Sequence, residues 1–144
     1  MNSENRELIE QLNAHAPGFI GMLGGRVVEV DPEAGACTFE FNIGHEFCHS
    51  GDVIQGGFVT AMLDATMSHA AFGEQGDIIN VATLEIKVSF FEPSRAGRYR
   101  CRGWLRKTGR STGFMEAELH DENGLLTATA TTTAKLVRRK PGSL

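Results

Sequence analysis

In the stretch GDVIQGGFVTAMLDATMSHAAF, residues 51–72, one carboxylate stands among apolar neighbours: Asp64, with Met62, Leu63, Ala65 and Met67 beside it. The pattern predicts a helix from about 56 to 72 that is buried on nearly every side. Gly56, Thr60, Asp64 and Ser68 recur every fourth residue, so they share one polar stripe on that cylinder. Asp is a poor residue for a helix interior, and position 64 is too deep to cap the start. Burying a carboxylate without a partner costs several kcal/mol. Two accounts fit. The acid is a reacting group, or it is satisfied by neighbouring hydroxyls.

Gln55-Gly56-Gly57 opens the same helix. The first amides of a helix lack internal partners and lie at its positive end, and glycines leave them open to an approaching oxygen. The Gly56 amide is thus a candidate oxyanion donor. Eight residues separate Gly56 from Asp64, about 12 Å of helix axis. A nucleophile must approach its carbon to about 3–3.5 Å. The two groups of one chain therefore serve one carbon poorly, whereas two antiparallel copies of the helix could pair them. If both react, the active unit is at least a dimer.

The elements that position these groups read as follows. Residues 3–15 form a short amphipathic helix with Ser3 as N-cap and Leu8, Ile9 and Leu12 on one face, stopped by Pro17. GGRVVEVD and GACTFEFN flank the turn PEAG as a hairpin. IGHEFCHSGDVIQ reads as loop, and Gly73 and Gly76 break the central helix. Four alternating runs follow, and short connections predict an antiparallel meander. In the first, Leu84, Ile86, Val88 and Phe90 alternate with Thr83, Glu85, Lys87 and Ser89. The expected class is α+β, a sheet wrapping one buried helix, in a single domain over 1–144. Composition, 41% hydrophobic and 22% charged, places the chain among soluble globular proteins. The acidic, interrupted N-terminus does not read as a signal peptide. Three unpaired cysteines, Cys37, Cys48 and Cys101, point to a reduced, cytoplasmic setting.

HSGDVIQGGFVTAMLDATMSHA, then FFEPSRAG, then GRSTGFMEAELHDENGLLTATATTTAKLV together resemble the hotdog-fold acyl-CoA thioesterases, in the phenylacetate-pathway and 4-hydroxybenzoyl-CoA branch. The resemblance spans about residues 20–138, ahead of a short basic tail, 138–144. It implies thioester hydrolysis with Asp64 as the acid, the Gly56 amide as carbonyl polariser, and His49 where relatives often carry an amide. Many relatives have His directly before the glycine pair, where this chain has Gln55. It further implies that Gln55, Gly57, Ser68 and Thr83 line the substrate, and that Arg110, Ser111 and Thr112 meet coenzyme A phosphates. No cofactor is implied; coenzyme A is part of substrate and product. Partners implied are copies of the same chain, as dimer or dimer of dimers, with no nucleic acid or membrane.

Charge and weaker motifs bound the alternatives. Residues 1–94 hold three basic and 14 acidic side chains, and residues 95–144 hold 11 basic and four acidic. The basic third is either a solvated sheet face or, as the resemblance implies, a seat for coenzyme A phosphates. His45, Cys48 and His49 lack the fourth ligand of a structural zinc, so no metal is expected. No G-x-S-x-G elbow supports a serine hydrolase on Ser50 or Ser68. Two other functions fit the same residues: a non-catalytic acyl-CoA sensor, and an acyl-thioester dehydratase or hydratase using His49 with Asp64.

Overall fold

The computed structural model describes residues 2–74 and 76–141. Helix α1 covers Ser3–Ala14, and its cap is Asn2, one residue earlier than expected: the Asn2 side chain accepts the Asn5 N–H at 2.7 Å. Asn is as strong a cap as Ser, and here it leaves Ser3 free to start the helix. Asn13 hangs α1 on the sheet, its amide exchanging two hydrogen bonds with the Val27 backbone, at 3.0 and 2.8 Å. A short helix α2, Gly18–Met22, follows Pro17 and was not anticipated.

Strands β1 (Arg26–Asp31) and β2 (Ala36–Ile43) form the expected hairpin. The segment read as loop carries a single 3-10 turn, His45–Phe47, and a two-stranded ribbon of β3 (Cys48–Ser50) and β4 (Val53–Ile54). Helix α3 covers Gly56–Glu74, running through Gly73. Strands β5 (Ile78–Phe90), β6 (Gly97–Thr108), β7 (Thr112–Asp121) and β8 (Leu126–Arg138) complete the described chain. Of the basic tail, 142–144 lie outside the described residues.

The six-stranded sheet runs in the order β1-β2-β6-β7-β8-β5, wrapped around α3. This is the α+β hotdog arrangement. It corrects the simple meander: β6, β7 and β8 are consecutive neighbours, but β5 pairs with β8 and never with β6. The reason lies in residues 91–96. They cross the ends of β8 and β7, where the Phe91 and Glu92 amides donate to the Thr127 carbonyl at 2.9 and 3.2 Å. Three interstrand spacings are about 14 Å, within reach of six extended residues. β6 gives its other edge to β2, and 13-residue β5 matches 13-residue β8.

The core lies between the concave sheet face and α3, with Phe39, Phe41, Met62, Leu63, Met67, Met115 and Leu119 fully buried. Cys37 and Cys101 are also buried, and loss of solvation pushes both thiols up to about 12, so they stay neutral. Gly103 of β6 sets the closeness of sheet and helix. A methyl there would stand 3.0 Å from the Thr66 carbonyl and 3.1 Å from the Met67 Cα, both backbone. Gly103→Ala is therefore expected to lower unfolding free energy by about 1–3 kcal/mol, read from denaturant midpoints. Unchanged midpoints would mean that α3 can retreat at no cost. Among the described residues no helix is long and apolar enough to cross a membrane.

α3 is not buried all round. Val59, Met62, Leu63, Thr66, Met67 and Ala70 face the sheet, whereas Gly57 and Phe58 are exposed and Thr60, Ala61, Asp64 and Ser68 are half-buried. One stripe of the helix is open in a single chain, and the carboxylate sits on it.

Candidate active site

The start of α3 is held from both sides. The Gln55 N–H donates to the Phe47 carbonyl at 2.9 Å, and the Ile54 N–H donates to the Ser94 carbonyl of the β5–β6 connection at 2.8 Å. Gln55 is the cap: its Oε1 accepts the Gly57 N–H at 2.7 Å, and its carbonyl accepts from Phe58 and Val59. The Gly57 amide is thereby engaged. The Gly56 N–H has no hydrogen-bond partner among the described residues. Gly56 and His49 line one shallow cavity of about 400 Å³ with Val59, Phe90 and Phe91. His49 is exposed, its Nδ1 2.8 Å from the Ser50 hydroxyl.

Asp64 lies in different surroundings. Its Oδ1 accepts the Thr83 hydroxyl at 2.8 Å. With Ser68 it lines a second cavity of about 670 Å³, walled by Leu8 and Leu12 of α1, Phe72 of α3, and Ile78 and Val81 of β5. Thr83 reaches Asp64 because of a bulge. The β5–β8 register slips between Thr83 and Glu85, making Leu84 the unpaired extra residue. Regular alternation would put Thr83 opposite in face to Ile86 and Val88. The bulge lets all three address α3 and turns Leu84 out, 63% exposed. The expected inward Leu84 and outward Thr83 are thus exchanged. Thr60, the other hydroxyl of the stripe, donates back to the Gly56 carbonyl at 2.9 Å.

His69 was not singled out by sequence, although it follows Ser68 and lines the same cavity. Its Nδ1 lies 2.8 Å from the Ala65 carbonyl, so that nitrogen carries the proton; the ring meets Phe39 and Phe72 edge-on. Burial holds its pKa below the ordinary value, against the smaller opposing effect of the Ala65 carbonyl. A base whose folded value is depressed stabilises the fold above its unfolded value, about 6.5, and loses that stability as pH falls toward the folded value. Unfolding free energy, read from denaturant midpoints, should fall below pH 6.5 with a slope of up to about 1.4 kcal/mol per pH unit. His69→Phe, which retains an aromatic ring, should flatten it. An identical slope in that variant would clear His69 of the effect.

The geometry divides the candidate groups. Gly56 and His49 line one cavity, Asp64 and Ser68 another. Between them, β5 is a sheet edge bonded only to β8, with Ile79, Leu84 and Phe90 more than half exposed. An unpaired apolar edge is a ready template for a second strand.

Comparison with known proteins resolves the family. The sequence pattern of the Thioesterase superfamily matches residues 51–128, more than half of the 144. The chain belongs to this superfamily. It is a thioesterase, a hydrolase. A solved structure of a phenylacetic acid degradation-related protein from Ralstonia eutropha JMP134 is 32% identical with a TM-score of 0.80, covering 89% of this chain and 98% of that one. A Saccharolobus solfataricus protein named as an esterase is 28% identical over 132 residues, 92% of each chain. The E. coli PaaI protein from the phenylacetic acid degradation operon, 16% identical with a TM-score of 0.80, shares the fold.

Four of the 11 cations in the basic third of the thioesterase, Arg95, Arg100, Arg106 and Arg138, are held in ion pairs. Arg100 reaches Glu29 and Glu40, Arg106 meets Glu116 at 3.2 Å, and Arg102 stacks over Trp104. Arg95 pairs with Asp52 at 2.7 Å. Arg100 and Arg106 thus lie solvated beside their acidic partners on the sheet. Arg110 and Ser111 in the β6–β7 turn and Thr112 at the first position of β7 stand apart, and their side chains have no hydrogen-bond partner among the described residues. Arg139 lines the Asp64 cavity. Among the described residues, no three His, Cys, Asp or Glu side chains gather as a metal site; His45 lies in the exposed 3-10 turn.

Proposed function

We propose that the thioesterase hydrolyses an acyl- or aryl-CoA thioester to the free acid and coenzyme A, as a homodimer whose sites are shared between protomers. The observation carrying this is the separation of Gly56 from Asp64 into two cavities flanking an open apolar edge strand. Two β5 edges meeting antiparallel would set the half-open stripes of two α3 helices face to face. Each carbonyl would then find the Gly56 amide and His49 of one protomer and Asp64 of the other. A dimer of dimers would keep these sites intact. The identity to the Ralstonia protein supports the aryl or acyl class, and the apolar walls of the Asp64 cavity suit such a group.

The chemistry then balances without a cofactor. Asp64 takes a proton from water held by Ser68 or Thr83, and the oxygen attacks the thioester carbon. Alternatively Asp64 attacks directly and water later cleaves the anhydride. In both routes the carbonyl oxygen gains charge against the Gly56 N–H, the C–S bond breaks, and the thiolate recovers a proton. The Gln55 amide and Gly57 border the thioester, and Arg110, Ser111 and Thr112 receive coenzyme A phosphates. The free thiols suit a cytoplasmic location.

The test is free-thiol release by the full chain across short, medium, long and aromatic acyl-CoAs, with molecular mass measured in parallel. At least one series member should turn over, and the active species should be a dimer or larger. Binding without thiol release would indicate an acyl-CoA sensor, and hydration of crotonyl-CoA without thiol release a hydratase. Either outcome would overturn the proposal.

A further inference from the structure

The β6–β7 turn is held by a residue far from it in sequence. Arg138, at the end of β8, donates its Nε to the Arg110 carbonyl at 2.7 Å and an Nη to the Gly109 carbonyl at 3.0 Å. Its other Nη grips both carboxylate oxygens of Asp77, at 3.0 and 3.2 Å, just before β5. The next carbonyl, Ser111, accepts the Leu136 N–H at 2.9 Å, and the turn closes on itself through Gly109 N–H to Thr112 carbonyl at 2.7 Å. Three successive carbonyls are therefore drawn onto β8. What the turn leaves unused are donors: the Arg110 guanidinium and the hydroxyls of Ser111 and Thr112. The Arg138 side chain is only 23% exposed, so its fork is committed to this frame rather than to solvent.

We infer that Arg138 is a positioning residue for the nucleotide end of the substrate: by binding the turn's carbonyls it presents Arg110, Ser111 and Thr112 as a preformed phosphate seat. This rests on the coenzyme A reading above. A planar guanidinium can hold two carbonyls and a carboxylate together; a point-charge ammonium cannot. Without the fork, the turn's acceptors are freed and its donors must be ordered anew on each binding event. Arg138 touches neither the acyl group nor the reacting atoms, so the chemical step is unaffected by it.

The experiment uses the full chain, titrated with coenzyme A and separately with pantetheine, which lacks the nucleotide phosphates. Arg138→Gln should weaken coenzyme A binding about tenfold and leave pantetheine unchanged. On any CoA thioester the wild type turns over, KM should rise about tenfold with kcat constant. In an Arg110→Ala background the same change should cost less than about threefold, because the two act through one turn. If Arg138→Gln does not fold, Arg138→Lys and Asp77→Asn probe the same frame and should shift coenzyme A binding in the same direction. Equal loss for both ligands, strict additivity with Arg110→Ala, or unchanged coenzyme A binding would each overturn the assignment. A wild type that binds coenzyme A no better than pantetheine would instead remove the phosphate seat itself, and this inference with it.

Discussion

Asp64→Asn should reduce thioester turnover by about 10²–10⁴-fold while substrate binding changes little. Asn has the same shape, and its Oδ1 can still accept the Thr83 hydroxyl that Asp64 accepts at 2.8 Å. What it lacks is the basic or nucleophilic oxygen. The loss should fall on kcat, and KM should stay within about threefold, because the group acts only as the transition state forms. Undiminished turnover in the pure variant would remove Asp64 from the chemistry. A single turnover in ¹⁸O-labelled water separates the two routes. Label recovered in the Asp64 carboxylate means direct attack through an anhydride that water cleaves at the side-chain carbon; activated water, or cleavage of an anhydride at the acyl carbon, labels the product acid alone.

Gly56→Pro should cost about 10²–10³-fold in kcat, the usual effect of deleting one oxyanion donor. Proline at the first helical position removes an N–H the helix does not use, so α3 should survive. The site has room: a carbon at the Cβ position of Gly56 would meet only the Phe90 ring, at 3.4 Å. The variant also tests the shared site. Each inactive chain lacks one half, so a mixed dimer of Asp64→Asn and Gly56→Pro protomers keeps one site with both halves intact. Refolding an equal mixture should restore about one quarter of wild-type activity if sites lie across a twofold interface. Recovery no better than the two variants measured alone would place both groups within one chain, contrary to their separation.

Much of this was legible without coordinates because it depends on short-range pattern. Period-four spacing put Gly56, Thr60, Asp64 and Ser68 on one stripe, and they occupy one stripe of α3. The eight-position separation of Gly56 and Asp64 already implied that one chain serves one carbon poorly with both, and they line separate cavities. Alternation identified all four long strands. It failed at Leu84, since a bulge is set by pairing with β8, and nothing local in VATLEIK announces it.

Three features depended on residues remote in sequence. β5 lies beside β8 because a six-residue connection can cross two strand ends, while local pattern favours the nearest neighbour. Arg138 controls a turn 28 positions away, and Asn13 docks α1 on Val27. A basic C-terminal third looked like an anion-binding face, but acids brought near by folding already take up Arg95, Arg100, Arg106 and Arg138, while Arg110, Ser111 and Thr112 keep unused side-chain donors. Spacing along the chain determined the helix, its acid, its glycine start and the class of fold, because those follow from backbone periodicity. Tertiary structure alone decided which hydroxyl meets Asp64, which edge stays open and which cations are already paired, because those depend on register and on partners that only the folded sheet brings together.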